Sequence, residues 1–156
     1  MDEEHDEQLW KFTFSAMSSW ERLQQILWGA RWDFSAPALD FTRDSLLRLS
    51  DWLSRAAREL PLDTFKLAVG CAGQYFGETV LEHAVGAWQR LPSGEIGLGI
   101  ELSSEGEQYF RVDELLQVWL DALQEGDGRE RGVFASRFDE VLVSARSPRG
   151  ADSREP

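Results

Sequence analysis

The sequence predicts a single two-layer α+β domain in which N-terminal helices precede a three-stranded antiparallel meander and two further helices. Three observations predict it. The 156 residues suffice for one domain that buries most of its apolar surface and fall short of two ordinary ones. Apolar residues recur at helical spacing in the first half and again near the C-terminus. Between these stretches, Ile96, Leu98, Ile100 and Leu102 alternate strictly with Gly97, Gly99 and Glu101, the period of a strand with one apolar face. Seven Trp and nine Phe supply core material that a disordered chain lacks.

The elements follow in order. Residues 1–8 hold five acids and no base and read as a solvated, disordered tail. The domain is expected over 9–144, with a second disordered tail over 145–156, which has no core material. Trp10, Phe12 and Phe14 alternate and read as a strand or a packing arm. Ser18 and Glu21 have the spacing of a capping box, opening a first helix on Leu23, Ile26, Leu27 and Ala30. Pro37 breaks the pattern. Thr42 is the expected N-cap of a second helix, whose stripe Leu46, Leu49, Leu53, Ala56 and Leu60 stops at Pro61. A third helix runs from Asp63 to about His83 and holds Gly70, Gly73 and Gly77. Each of these costs about 1 kcal/mol relative to Ala. Close packing of a neighbouring element, or a ligand lying against the backbone, would offset that cost.

Strands are expected over 87–91, 96–102 and 108–112, joined by turns at 92–94 and 103–107. Asp113 is the expected cap of a helix with the stripe Leu115, Leu116, Trp119, Leu120 and Leu123, stopped by Gly126. A loop over 127–132 leads to a last helix on Phe134, Phe138, Val141 and Leu142.

The formal net charge of −12 argues against nucleic acid, which needs a basic face. Cys71 is the lone cysteine, so no intramolecular disulfide or cysteine-based zinc site is expected. No basic, apolar leader is visible, and the most apolar stretch, 67–85, is cut by Gln74, Glu78, Glu82 and His83. A cytoplasmic protein with no membrane contact is the expectation. The excess of Arg over Lys fits a GC-rich bacterial coding sequence.

No cofactor is expected either. Residues 70–77, Gly-Cys-Ala-Gly-Gln-Tyr-Phe-Gly, lack the dinucleotide-loop spacing and any preceding strand, and there is no Walker A lysine. Glu78 and Glu82 share a helix face, with His83 beside them, and form the one acid–base or ligand set the chain suggests. A metal is not expected, because no second Glu-x-x-His copy exists. A solvated or locally paired helix face explains the same residues.

Between Glu95 and Asp127 nine acids face Arg111 alone. Glu101, Glu105, Glu107, Asp113 and Glu114 are therefore the candidate partner-binding residues, in a field that speeds association with a basic protein. Trp10, Trp20, Trp28 and Trp32 crowd the N-terminal region, and exposed members would mark a protein interface.

The run Leu39-Asp40-Phe41-Thr42-Arg43-Asp44-Ser45-Leu46-Leu47-Arg48-Leu49-Ser50-Asp51-Trp52-Leu53 resembles the "LDxSxxSLxxLDxxL" helix of many small uncharacterised bacterial proteins. Those proteins follow it with a "YxGE…GxxW" element, matched here by Tyr75-Phe76-Gly77-Glu78 and by Gly86-Ala87-Trp88. The resemblance spans about residues 39–102 and departs at Thr42 and Ser50, where Ser and Asp are usual. Similar small acidic domains occur in actinobacteria, some in toxin–immunity or effector loci, so the resemblance implies an immunity-type or accessory role. It carries over no catalytic residue. Within it, Glu78 is expected to accept hydrogen bonds from the strand backbone near Trp88.

Three readings follow. The first is a non-enzymatic binding module for a basic protein. The second is a small enzyme or biosynthetic accessory protein with a pocket over the glycine-rich helix, using Glu78, Glu82 or His83 as acid or base. The third is a homodimer joined through exposed Trp residues.

Overall fold

The computed structural model describes residues 6–19, 21–23, 25 and 39–148. Its elements are α1 (Glu7–Met17), α2 (Arg43–Glu59), α3 (Leu62–His83), β1 (Gly86–Arg90), β2 (Ile96–Glu101), β3 (Glu107–Phe110), α4 (Val112–Glu125) and α5 (Val133–Ser144). A 3-10 turn, Arg129–Gly132, joins α4 to α5 where the sequence suggested a loop. The strands form an antiparallel meander in the order β1-β2-β3, with Trp88, Leu98 and Phe110 side by side on one face. Helices cover that face, which gives the expected α+β architecture.

The N-terminal segment differs from the expectation. Trp10, Phe12 and Phe14 lie in α1, not in a strand, because Leu9, Phe12 and Ala16 fall on one helical face and turn inward. Asp6 caps α1 by accepting from the Leu9 N–H at 3.2 Å, and its carboxylate pairs with Arg90 at 2.8 Å. Asp6, Glu7 and Gln8 thus belong to the fold, not to a solvated tail. Ser18 closes α1, and its carbonyl also accepts from the Arg22 N–H at 3.1 Å, so it stands at the start of the helical residues that follow. Residues 19, 21–23 and 25 are helical and Leu23 is fully buried, whereas 26–30, Trp20, Trp28 and Trp32 lie outside the described residues.

Helix α2 begins as its sequence indicates. Thr42 and Ser45 exchange the reciprocal bonds of a capping box, and Leu60, the residue before Pro61, closes the helix. Arg111 occupies the N-cap position of α4; Asp113, expected there, sits in the first turn and pairs with Arg111 at 2.7 Å. Gly126 ends α4 with a left-handed φ of 75°, a conformation open to glycine. At the C-terminus, Ala145 bridges Leu102, and Arg146 donates to the Glu101 carbonyl at 2.8 Å while accepting from Val85. Those two residues extend the sheet and are not a free tail; 149–156 lie outside the described residues.

Helix α3 is the central element and contacts α1, α2, α4 and α5. Phe76 lies between the Phe110 ring of the sheet (centroids 5.6 Å apart) and Phe134 of α5 (6.2 Å). Trp119 of α4 stacks on Phe134 and donates its indole N–H to Ser50 Oγ of α2 at 2.8 Å. Full burial of rings like these contributes about 1.5–3 kcal/mol each. The glycines of α3 are explained by this packing. A Cβ on Gly73 would come within 2.7 Å of Val112, and one on Gly77 would overlap the Trp88 ring. Gly70 is the exception, since nothing lies within 4 Å of its missing Cβ.

Candidate functional site

The five candidate acidic residues fall into two groups at opposite ends of the β2–β3 hairpin. At the turn end, Glu101 and Glu107 are direct cross-strand partners on the outer face of the sheet, and Glu105 is exposed in the connecting turn. Like charges so opposed are destabilising by about 0.2–1 kcal/mol. Arg146 relieves part of this, with its guanidinium 3.4 Å from Glu101. Glu107 accepts from Gln89 Nε2 at 3.4 Å. It also bonds to the half-exposed phenol of Tyr109, which raises that phenol above its ordinary pKa. No helix covers this side of the sheet among the described residues, and Ala87, Glu107 and Tyr109 stand exposed on it.

At the other end, Arg111 gathers Glu95 (2.6 Å), Asp113 (2.7 Å) and Glu114 (3.5 Å). The hydrogen bond from Arg111 holds the Asp113 carboxyl below its usual range. Asp113 and Glu114 are therefore part of an ion-pair cluster, separate from Glu101, Glu105 and Glu107. The structure does not bring the five candidate residues into one patch.

Glu78, Glu82 and His83 do not converge. Glu78 accepts from the indole N–H of Trp88 at 2.8 Å, a side-chain bond where a backbone bond was expected. Glu82 is exposed. His83 bonds through Nε2 to the Phe41 carbonyl at 2.9 Å and meets the Phe138 ring edge-on. None of the three lines the cleft along α3, the groove beside α1 or the hollow between α4 and α5, and among the described residues no cluster of three or more His, Cys, Asp or Glu could hold a metal.

The segments 39–53, 75–78 and 86–88 touch one another. Tyr75 Oη accepts from the Phe41 N–H and shares a hydrogen bond with Ser45 Oγ, both at 2.7 Å. Phe41 itself has a left-handed φ of 61° and stacks on Tyr75, centroids 5.0 Å apart. Gly77 lies under the Trp88 ring that Glu78 anchors. These residue types at these spacings build an α2–α3–sheet junction, so their role visible here is structural.

Two further features shape the surface; the sequence reading posits a pocket over the glycine-rich helix but not its lining, and it does not place Trp10, Phe14 and Met17 on one helix face. The first is a cleft of about 480 Å³ along α3, walled by Phe12, Ser15 and Arg22 on one side and by Ile96, Val112 and Leu116 on the other. Its floor holds Gly70, Cys71 and Gln74. The Cys71 thiol is buried, which raises its pKa. Gln74, a lone amide among the small residues of 70–77, was the available signal; Arg22 gave none. The second is the outer face of α1, where Trp10, Phe14 and Met17 are each more than 60 % exposed.

The chain matches no family model, no curated protein and no solved structure. No described helix is long and apolar enough to cross a membrane.

Proposed function

We propose that this protein is a non-enzymatic binding module that holds a basic protein partner through the acidic end of its sheet. The observation that carries the reading is the opposed pair Glu101 and Glu107, with Glu105 at the hairpin turn, on a sheet face that no described helix covers. A cationic side chain seated between the two carboxylates would relieve their repulsion, and the −12 net charge would steer it there. Asp113 and Glu114, already engaged by Arg111, contribute to the long-range field and not to the contact. A bacterial, cytoplasmic, immunity-type or accessory role is what the family resemblance adds.

The test compares the wild-type protein with an E101Q/E105Q/E107Q variant as bait in lysate of the source organism, at low and at high salt. The expected result is a basic protein retained by wild type at low salt, weakened by salt, and lost with the variant. Equal retention by both baits overturns the reading.

A second reading, self-association, rests on the exposed aromatic face of α1. Trp10 and Phe14 lie 5.1 Å apart with Met17 one turn on, an exposed apolar strip on a helix whose Leu9, Phe12 and Ala16 face the core. If this face joins two copies, sedimentation shows a dimer at raised concentration that W10A/F14A dissociates. A monomer throughout removes this reading and leaves the first intact.

A further inference from the structure

We infer that the cleft along α3 is a binding site for a small organic carboxylate with an apolar body, an aliphatic or aromatic monoacid. The charge pattern is the first argument. In this acidic chain most described arginines find carboxylates, as Arg43 does with Asp139, Arg90 with Asp6 and Arg131 with Asp51, and the exception besides Arg22 is Arg58 near the end of α2. Arg22 has no carboxylate partner among the described residues. It donates instead to the amide oxygen of Gln74, and its buried Nε has no hydrogen-bond partner. A buried donor without an acceptor is costly, and a guanidinium is the side chain best suited to receive a carboxylate. Lys66, one turn before Gly70, lines the same cleft and likewise has no acid within ion-pair distance among the described residues.

The shape is the second argument. The cleft lies within the size range of small-molecule sites. Past Arg22 and Lys66 its lining turns apolar, with Phe12, Leu67, Ile96 and Leu116. Gly70 leaves the floor open where any side chain would fill it. Glu95 and Asp113 sit on the far wall and are both held by Arg111. They would repel a carboxylate placed there, so the acid group is oriented towards Arg22 and Lys66 and the apolar body lies along α3.

The probes are octanoate and 3-phenylpropionate, each paired with its uncharged amide, titrated calorimetrically into the full chain. Each acid is expected to bind about tenfold or more tightly than its amide, the preference that one charge-assisted contact supplies. Lys66→Gln, at an exposed position, lowers that preference, and Arg22→Gln removes it. Gly70→Leu blocks acid and amide alike. Bound acid also slows alkylation of Cys71, the lone thiol of the chain, by iodoacetamide. Equal binding of acid and amide overturns the inference. So does the absence of binding below about 1 mM, the weakest affinity that such a contact set would give. Should Arg22→Gln fail to fold, unchanged preference in Lys66→Gln overturns it as well. None of these outcomes bears on the acidic sheet end, which lies at the other end of the hairpin.

Discussion

Glu78 shows at the residue scale how a carboxylate that suggests catalysis is taken up by structure. Its acceptor bond to Trp88 Nε1 anchors a ring that is 6 % exposed and covers Gly77. Glu78→Ala leaves that indole N–H without its partner and is expected to lower stability by about 1–3 kcal/mol in urea unfolding. Glu78→Gln keeps an acceptor oxygen and is expected to lose about half as much or less. Equal losses in the two variants would show that the bond contributes nothing. The pairing with Trp88 was half legible: the sequence placed Glu78 near this strand, but not on the indole, because side-chain direction depends on the crossing of α3 over the sheet.

The glycines of α3 separate two effects at the element scale. Gly70→Ala meets open space and gains helix propensity, so it is expected to stabilise by up to about 1 kcal/mol. Gly77→Ala drives a methyl into the Trp88 ring and is expected to destabilise by about 1–3 kcal/mol. Thermal unfolding of the two variants should move in opposite directions. Helix α1 carries a pH-dependent contact. The bond from Arg90 holds the Asp6 carboxyl below its ordinary 3.8, with the Leu9 N–H adding to the effect. A lowered folded value means that the contribution is complete above 3.8 and is lost as pH falls through the folded value. The protection of α1 amides relative to their intrinsic exchange rates is expected to fall over that acid range in wild type, while Asp6→Asn shows lower protection that does not change over it.

At the scale of the whole molecule, the acidic surface links stability and binding in opposite senses. Replacing Glu101, Glu105 and Glu107 with Gln removes the cross-strand repulsion and also the attraction between Glu101 and Arg146. The variant is expected to unfold at the wild-type denaturant midpoint or up to about 1 kcal/mol above it, while its association with a basic partner slows. A clear loss of stability would show that these carboxylates hold the sheet together and are not held apart by it. Placement of the acids was legible only in part. The sequence counted one acidic region from Glu95 to Asp127, and the hairpin splits it, since Glu101 and Glu107 pair at one end, Arg111 gathers Glu95, Asp113 and Glu114 at the other, and Asp121, Glu125 and Asp127 lie on and after the later part of α4.

The sequence by itself determined the element order from α2 onward, because local period and local caps are enough there. Thr42 and Ser45 cap α2, Pro61 stops it, and the alternation from Ile96 makes a strand. It also determined that the chain is acidic and rich in aromatic core material. Only the tertiary structure decided the rest. Three alternating aromatics are too short a window to tell a strand from a helix, and α1 forms because Asp6 caps it and Leu9, Phe12 and Ala16 meet the core. The cleft depends on residues far apart in the chain, Phe12 of α1 on one wall and Leu116 of α4 on the other, which come together only when α1 and α4 pack against α3. Period and propensity are properties of neighbours in sequence, whereas a site is made of neighbours in space.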